Sequence, residues 1–126
     1  YEEGRARDAL DLIDETFSRG HSGSYSAELL RLRSRALRNL GDYRSALRAI
    51  REYLALRPQE SGGRFEYMTL LFRLGEYQRL LEELESSREG ISPRNVSYLE
   101  GLALVGLGRY EDAVEILSSL QGSEQL

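Results

Sequence analysis

Three stretches decide how this chain folds: Leu40-Gly41-Asp42-Tyr43, Leu74-Gly75-Glu76-Tyr77 and Leu107-Gly108-Arg109-Tyr110. Their glycines lie 34 and 33 residues apart in a chain of 126 residues. Each stretch separates two segments whose apolar side chains recur every three or four positions, which is the period of an amphipathic helix. Glycine between two such segments indicates a helix end, because it readily adopts the left-handed conformation that terminates a helix. The sequence therefore predicts three copies of one helical hairpin.

Residues at the ends of these segments support the same division. Asp42 suits the N-cap of a following helix, where a carboxylate accepts a hydrogen bond from a free backbone N–H. Pro58 closes the first hairpin, and Ser92-Pro93 predicts an N-cap followed by a first-turn proline that opens the last one. We therefore predict hairpins over residues 25–60, 61–93 and 94–126, preceded over residues 1–24 by one helix and a Gly/Ser-rich linker.

The period and the residue pattern resemble the tetratricopeptide repeat family, whose unit is a 34-residue helix–turn–helix. The clearest matches are Ala46-x3-Ile50 with Pro58, and Ala113-x3-Leu117. Ala9-x3-Ile13 resembles the second helix of a preceding repeat, so we expect the chain to be a piece of a longer protein. The resemblance implies an all-α fold, a right-handed α-α superhelical solenoid. The chain departs from the family pattern at Leu80, where a small Ala is expected, and only Gly101 keeps the small glycine of the first helix.

Charge is distributed unevenly along the chain. Residues 1–30 carry three Arg against seven acids, residues 31–57 carry eight Arg against two acids, and residues 58–126 carry six Arg against twelve acids. The formal net charge of −4 thus conceals a basic middle hairpin between two acidic flanks. Every base is Arg, which suggests a GC-rich bacterial gene.

The resemblance implies that the first helix of each repeat lines a concave groove. The corresponding positions in this sequence are Glu28, Arg31, Arg35, Arg38 and Asn39, then Phe65, Thr69, Phe72 and Arg73, and then Asn95, Tyr98, Leu102 and Val105. Spacing alone also places Arg31, Arg35 and Arg38 on one helix face, because they follow the order i, i+4, i+7. The same spacing relates Phe65, Thr69 and Phe72.

These residue types favour a protein ligand. Guanidinium groups form paired hydrogen bonds with carboxylates, and aromatic rings supply buried area at low entropic cost. We therefore expect the partner to be a protein segment, a peptide or helix with acidic and apolar side chains. A second interpretation stays open: the Arg side chains pair with acids of neighbouring helices, and Phe65 and Phe72 pack in the core. The acids considered for such pairs are Asp11, Asp14, Glu15 and Glu66.

Nothing in the sequence indicates catalysis. The chain has no Cys, its single His21 lies in the Gly/Ser-rich linker, and Glu82, Glu83 and Glu85 are typical of a solvated helix face. We expect no enzyme activity, no metal, no cofactor and no small-molecule substrate. No apolar run approaches the roughly 18 residues that span a membrane. The compartment is left open.

Three other roles remain as alternatives. Nucleic-acid binding through residues 31–57 is disfavoured, because the acidic flanks would repel a long phosphate backbone. The chain could instead serve as a structural spacer or as a regulatory domain of a larger protein. Neither end carries a polar capping helix, so we expect an apolar face to be covered by self-association or by further repeats.

Overall fold

The computed structural model describes residues 2–20, 23–87 and 90–124. All regular structure in these ranges is helical, which confirms the expected all-α class. The elements are α1 (Glu2–Ser18), a short 3-10 turn (Gly23–Tyr25), α2 (Ser26–Asn39), α3 (Tyr43–Leu56), α4 (Ser61–Arg73), α5 (Tyr77–Ser86), α6 (Pro93–Gly106) and α7 (Tyr110–Glu124). Within these ranges no helix combines the length and the apolar character that crossing a membrane requires.

The chain forms two compact units, unit 1 over residues 1–63 and unit 2 over residues 64–126. In unit 1, α2 packs against both α1 and α3. In unit 2, α6 packs against both α5 and α7.

Three identical turns connect α2 to α3, α4 to α5 and α6 to α7. Gly41, Gly75 and Gly108 have φ angles of 82°, 76° and 78°, in the left-handed region. Each glycine N–H donates to the carbonyl three residues earlier, and the next N–H donates to the carbonyl five residues earlier, at 2.8–3.0 Å. These two bonds define a Schellman motif, which satisfies the last carbonyls of a helix. The predicted helix ends at the three glycines are therefore confirmed.

The residue after each glycine also begins the next helix. The carbonyls of Asp42, Glu76 and Arg109 accept the first helical hydrogen bond of α3, α5 and α7. The side chain of Asp42 accepts a further bond from the backbone N–H of Ser45 at 3.2 Å, as predicted for an N-cap. Ser92 caps α6 in the same way through the N–H of Asn95, with Pro93 as the first helical residue.

Each hairpin has a buried position on its first helix and another, twelve residues later, on its second helix. The pairs are Ser34 with Ala46, Met68 with Leu80, and Gly101 with Ala113, and all six residues are buried. The hydroxyl of Ser34 donates to the carbonyl oxygen of Ala46 at 2.9 Å, so these two helices approach closely. The second hairpin instead holds two large, fully buried side chains, Met68 and Leu80. The large side chain at position 80, where a small residue was expected, is thus accommodated in the core.

Candidate functional site

Arg31 is engaged inside unit 1. Its guanidinium carbon lies 5.5 Å from the centre of the Tyr53 ring, and its Nη1 lies 3.8 Å from Oε1 of Glu60. The side chain is only 24% exposed. This contact supports the interpretation of an in-chain ion pair for Arg31, with Glu60 as the acid.

Other Arg side chains of the basic hairpin also meet acids of unit 1. Arg33 donates through Nη2 to Oδ1 of Asp14 at 2.7 Å, and its guanidinium carbon lies 4.7 Å from the centre of the Phe17 ring. Arg57 Nη2 lies 3.5 Å from Oε1 of Glu28. Arg33 therefore ties α2 to the C-terminal half of α1, a role that sequence reasoning did not assign to it.

Arg35 and Asn39 line an open groove between α1 and α2. The groove has a volume of about 500 Å³. Its lining consists of Arg5, Ala6, Ala9, Leu12, Ile13 and Thr16 from α1, and of Leu29, Leu32, Arg35, Ala36 and Asn39 from α2. Two of the predicted groove residues are thus brought together with α1, whereas Arg31 contacts Tyr53 on α3. Arg38 is half-buried on α2 and does not line this groove.

The groove is apolar along its length and basic at one end. Leu12 and Leu32 stand in it with 65% and 49% of their surface exposed. Only residues 19–25 connect α1 to α2, and a connection this short joins helices that run antiparallel. Arg5 and Asn39 therefore lie toward one end of the groove. Among the lining residues whose side chains the structure describes, two are Arg and none is an acid.

Sequence reasoning missed the part of this groove that α1 contributes. Leu12 precedes Ile13 and falls outside the Ala9–Ile13 stripe, so it is an apolar residue that the hairpin pattern does not require. On α2, Leu32 is likewise an exposed apolar residue near a buried one, two positions after Leu30. Apolar residues beside a buried stripe were the available signal, and they mark a second apolar face.

The predicted residues of α4 lie in unit 2. Phe65 and Thr69 are half-buried, and the hydroxyl of Thr69 donates to the carbonyl of Glu66 at 2.9 Å. The ring of Phe72 lies 5.7 Å from the ring of Tyr77, with the planes tilted by 52°. Phe72 thus packs against the start of α5 and is half-buried. Arg73 is exposed at the end of α4.

Three of the predicted residues of α6 form an apolar stripe in unit 2. Tyr98 and Val105 are 44% and 43% exposed, and Leu102 between them is half-buried. Asn95 is half-buried at the start of the same helix. On α7, Tyr110 and Val114 are 64% and 63% exposed.

The part of the chain that the structure describes holds no group of three or more His, Asp and Glu side chains that could bind a metal ion. His21 lies outside the described residues. No family model matches the sequence, and no curated protein matches it. Function is therefore inferred from the side chains of the two units.

Proposed function

We propose that this chain is a non-catalytic protein-interaction scaffold that binds a peptide or helix with acidic and apolar anchors. The α1–α2 groove is the observation that carries the proposal. Fully covering a Leu side chain is worth about 1.5–3 kcal/mol, so covering the exposed parts offers roughly 1–2 kcal/mol for Leu12 and roughly 0.7–1.5 kcal/mol for Leu32. Arg5 and Arg35 place positive charge beside this apolar surface, which favours a ligand that carries carboxylates, and Asn39 adds an amide.

We also propose that the hairpins stack as a right-handed α-α superhelical solenoid of the tetratricopeptide type. Three Schellman turns at intervals of 34 and 33 residues support it, as do the buried position pairs twelve residues apart. In such an array the first helices of successive repeats carry the ligand, and here those helices are α2, α4 and α6.

A peptide-display selection against the whole chain tests the proposed function. We expect enrichment of sequences that combine Asp or Glu with Leu, Ile or Phe. Arg35→Glu should weaken the enriched peptides by about tenfold, the equivalent of ~1.4 kcal/mol. Arg48→Glu is the matched control, because Arg48 is exposed on α3 and does not line the groove. A selection that yields no specific peptide, or peptides equally sensitive to both substitutions, would refute the proposal.

Self-association is a second candidate, and the exposed side chains of α7 favour it. Tyr110 and Val114 lie four residues apart on one helix face and are largely exposed. Val114→Glu should then lower the apparent mass in sedimentation velocity at high protein concentration. A monomer at every concentration for the unsubstituted chain would exclude this role.

Nucleic-acid binding gains no support from the arrangement of the basic hairpin. Arg31, Arg33 and Arg57 each lie against an acid of unit 1. Each such pair reduces the positive charge available to phosphates. We expect no salt-dependent change in the anisotropy of a labelled RNA or DNA oligonucleotide when the chain is added.

A further inference from the structure

We infer that the α1–α2 groove seats an α-helix of a partner protein, antiparallel to α1, with acidic side chains near the C-terminal end of that helix. This rests on the proposed protein-binding function and specifies the secondary structure, direction and charge of the ligand. Three observations lead to it: an equivalent pair of helices in unit 2, the helix that covers α5 there, and the charges at the end of the groove.

The helix pair α5–α6 of unit 2 repeats the pair α1–α2 of unit 1. Ile13 and Leu84 hold the same place on α1 and α5, and they are 4% and 1% exposed. On the other helix of each pair, Leu32 corresponds to Leu99, since they lie two residues before the buried positions Ser34 and Gly101. Leu99 is fully buried, whereas Leu32 is 49% exposed. The same site is therefore covered in one unit and open in the other.

Helix α4 lies along α5 in unit 2. The N-terminal part of α4 meets the end of α5, where Nη2 of Arg64 donates to the carbonyl of Ser87 at 3.1 Å. In the middle, the hydroxyl of Tyr67 lies 3.2 Å from Oε1 of Glu83. The C-terminal part of α4 meets the start of α5 through the Phe72–Tyr77 ring contact. These contacts run in opposite directions along the two helices, so α4 and α5 are antiparallel.

A ligand helix placed on α1 as α4 is placed on α5 would end near Arg5 and Asn39. Two electrostatic effects favour this direction. The C-terminal end of a helix carries a partial negative charge that a nearby cation stabilises. Carboxylates on the last turns of the ligand would also lie beside the positive charge of Arg5, and the described lining residues include no acid. The reverse direction would place the positive N-terminal end of the ligand helix against this Arg side chain.

The ligand's length follows from the groove. Its lining extends along α2 from Leu29 to Asn39, which is most of a 14-residue helix. A helix of about that length is only marginally stable alone in water, so the ligand is expected to gain helical structure on binding.

Two synthetic helices of roughly 14 residues test the inference against the whole chain. Both are side-chain cross-linked, acetylated and amidated, and both carry the same Leu stripe at positions i, i+3, i+4 and i+7. One carries two Glu in its last turn, and the other carries them in its first turn. By fluorescence anisotropy, we expect the first peptide to bind about tenfold more tightly than the second. Leu32→Glu should weaken it by about tenfold or more, whereas Leu56→Glu, at a Leu that is 50% exposed outside the groove, should not.

Other results would overturn the inference in distinguishable ways. Equal binding of the two peptides, or tighter binding of the second, would contradict the direction. Binding that survives Leu32→Glu would contradict the location. If library peptides compete for the groove but show no helical circular dichroism, the ligand is not a helix, and the proposed function still stands. Absence of any peptide binding would overturn both. A dimer of the chain that Leu32→Glu dissociates and Leu56→Glu does not would assign the groove to a second copy.

Discussion

Replacing Gly75 by Ala isolates the energetic requirement of the turn between α4 and α5. A Cβ built at Gly75 meets nothing within 4 Å, so steric overlap with neighbouring residues cannot contribute. Any loss of stability in Gly75→Ala therefore comes from the φ angle of 76°. The left-handed conformation costs an L-residue roughly 1–2 kcal/mol, and about 0.4–1 kcal/mol returns because Ala has fewer unfolded conformations than Gly. We expect a net loss of about 1 kcal/mol.

Gly4 provides a matched control for the same substitution. It also has nothing within 4 Å of its built Cβ, but it lies inside α1 without a positive φ. Ala is favoured over Gly in a helix by about 0.8–1 kcal/mol, less near an end, so Gly4→Ala should stabilise the chain. The two substitutions should therefore shift stability in opposite directions.

Urea unfolding, followed by circular dichroism at 222 nm, measures the change in the free energy of unfolding for both variants. Thermal unfolding followed at the same wavelength measures the corresponding shift in Tm. Unfolding 126 residues changes the entropy by roughly 0.26 kcal/mol/K, so a loss of ~1 kcal/mol lowers Tm by about 4 °C. D-Ala introduced at position 75 by chemical ligation should restore stability, because a D-residue prefers positive φ. If Gly75→Ala is neutral or stabilising, or if D-Ala destabilises as much as L-Ala, the turn does not depend on left-handed backbone.

Three further substitutions test the packing and capping described above, each by the same unfolding measurement. Leu80→Ala should lower the free energy of unfolding by about 2–5 kcal/mol because Leu80 is fully buried. Leu56→Ala, at a half-exposed Leu, should lower it by less than about 1 kcal/mol. Similar losses for the two variants would contradict the core position of Leu80. Ser92→Ala should cost about 1 kcal/mol through the loss of the α6 N-cap, and Ser92→Asp should retain most of that stability. Gly106→Ala should destabilise the chain by about 1–3 kcal/mol because the added Cβ would lie 2.6 Å from ring atoms of Tyr77. If this contact is the cause, adding Tyr77→Leu to Gly106→Ala should recover part of the lost stability.

Most of the local structure could be predicted from the sequence, because its determinants are local. The glycine at each turn, Asp42 and Ser92 act within five residues of themselves, and the structure places each as expected. The candidate site could be predicted only in part. Arg31 and Arg35 share a helix face by spacing, yet one packs on Tyr53 and the other lines a groove with α1. That separation depends on which helices flank α2, and no periodicity within α2 carries this information.

The three turns also constrain how the hairpins open. A single residue, such as Asp42, donates the bond that closes one helix and accepts the bond that opens the next. Because both bonds depend on the same residue, the helix ends at the turn cannot fray independently. Amide protons on both sides of Gly41, Gly75 and Gly108 are therefore expected to exchange with solvent together, at a common rate for each turn, while the opposite ends of the same helices exchange on their own. Each hairpin would then begin to unfold at the free ends of its two helices, and the turn at its glycine would open as one unit.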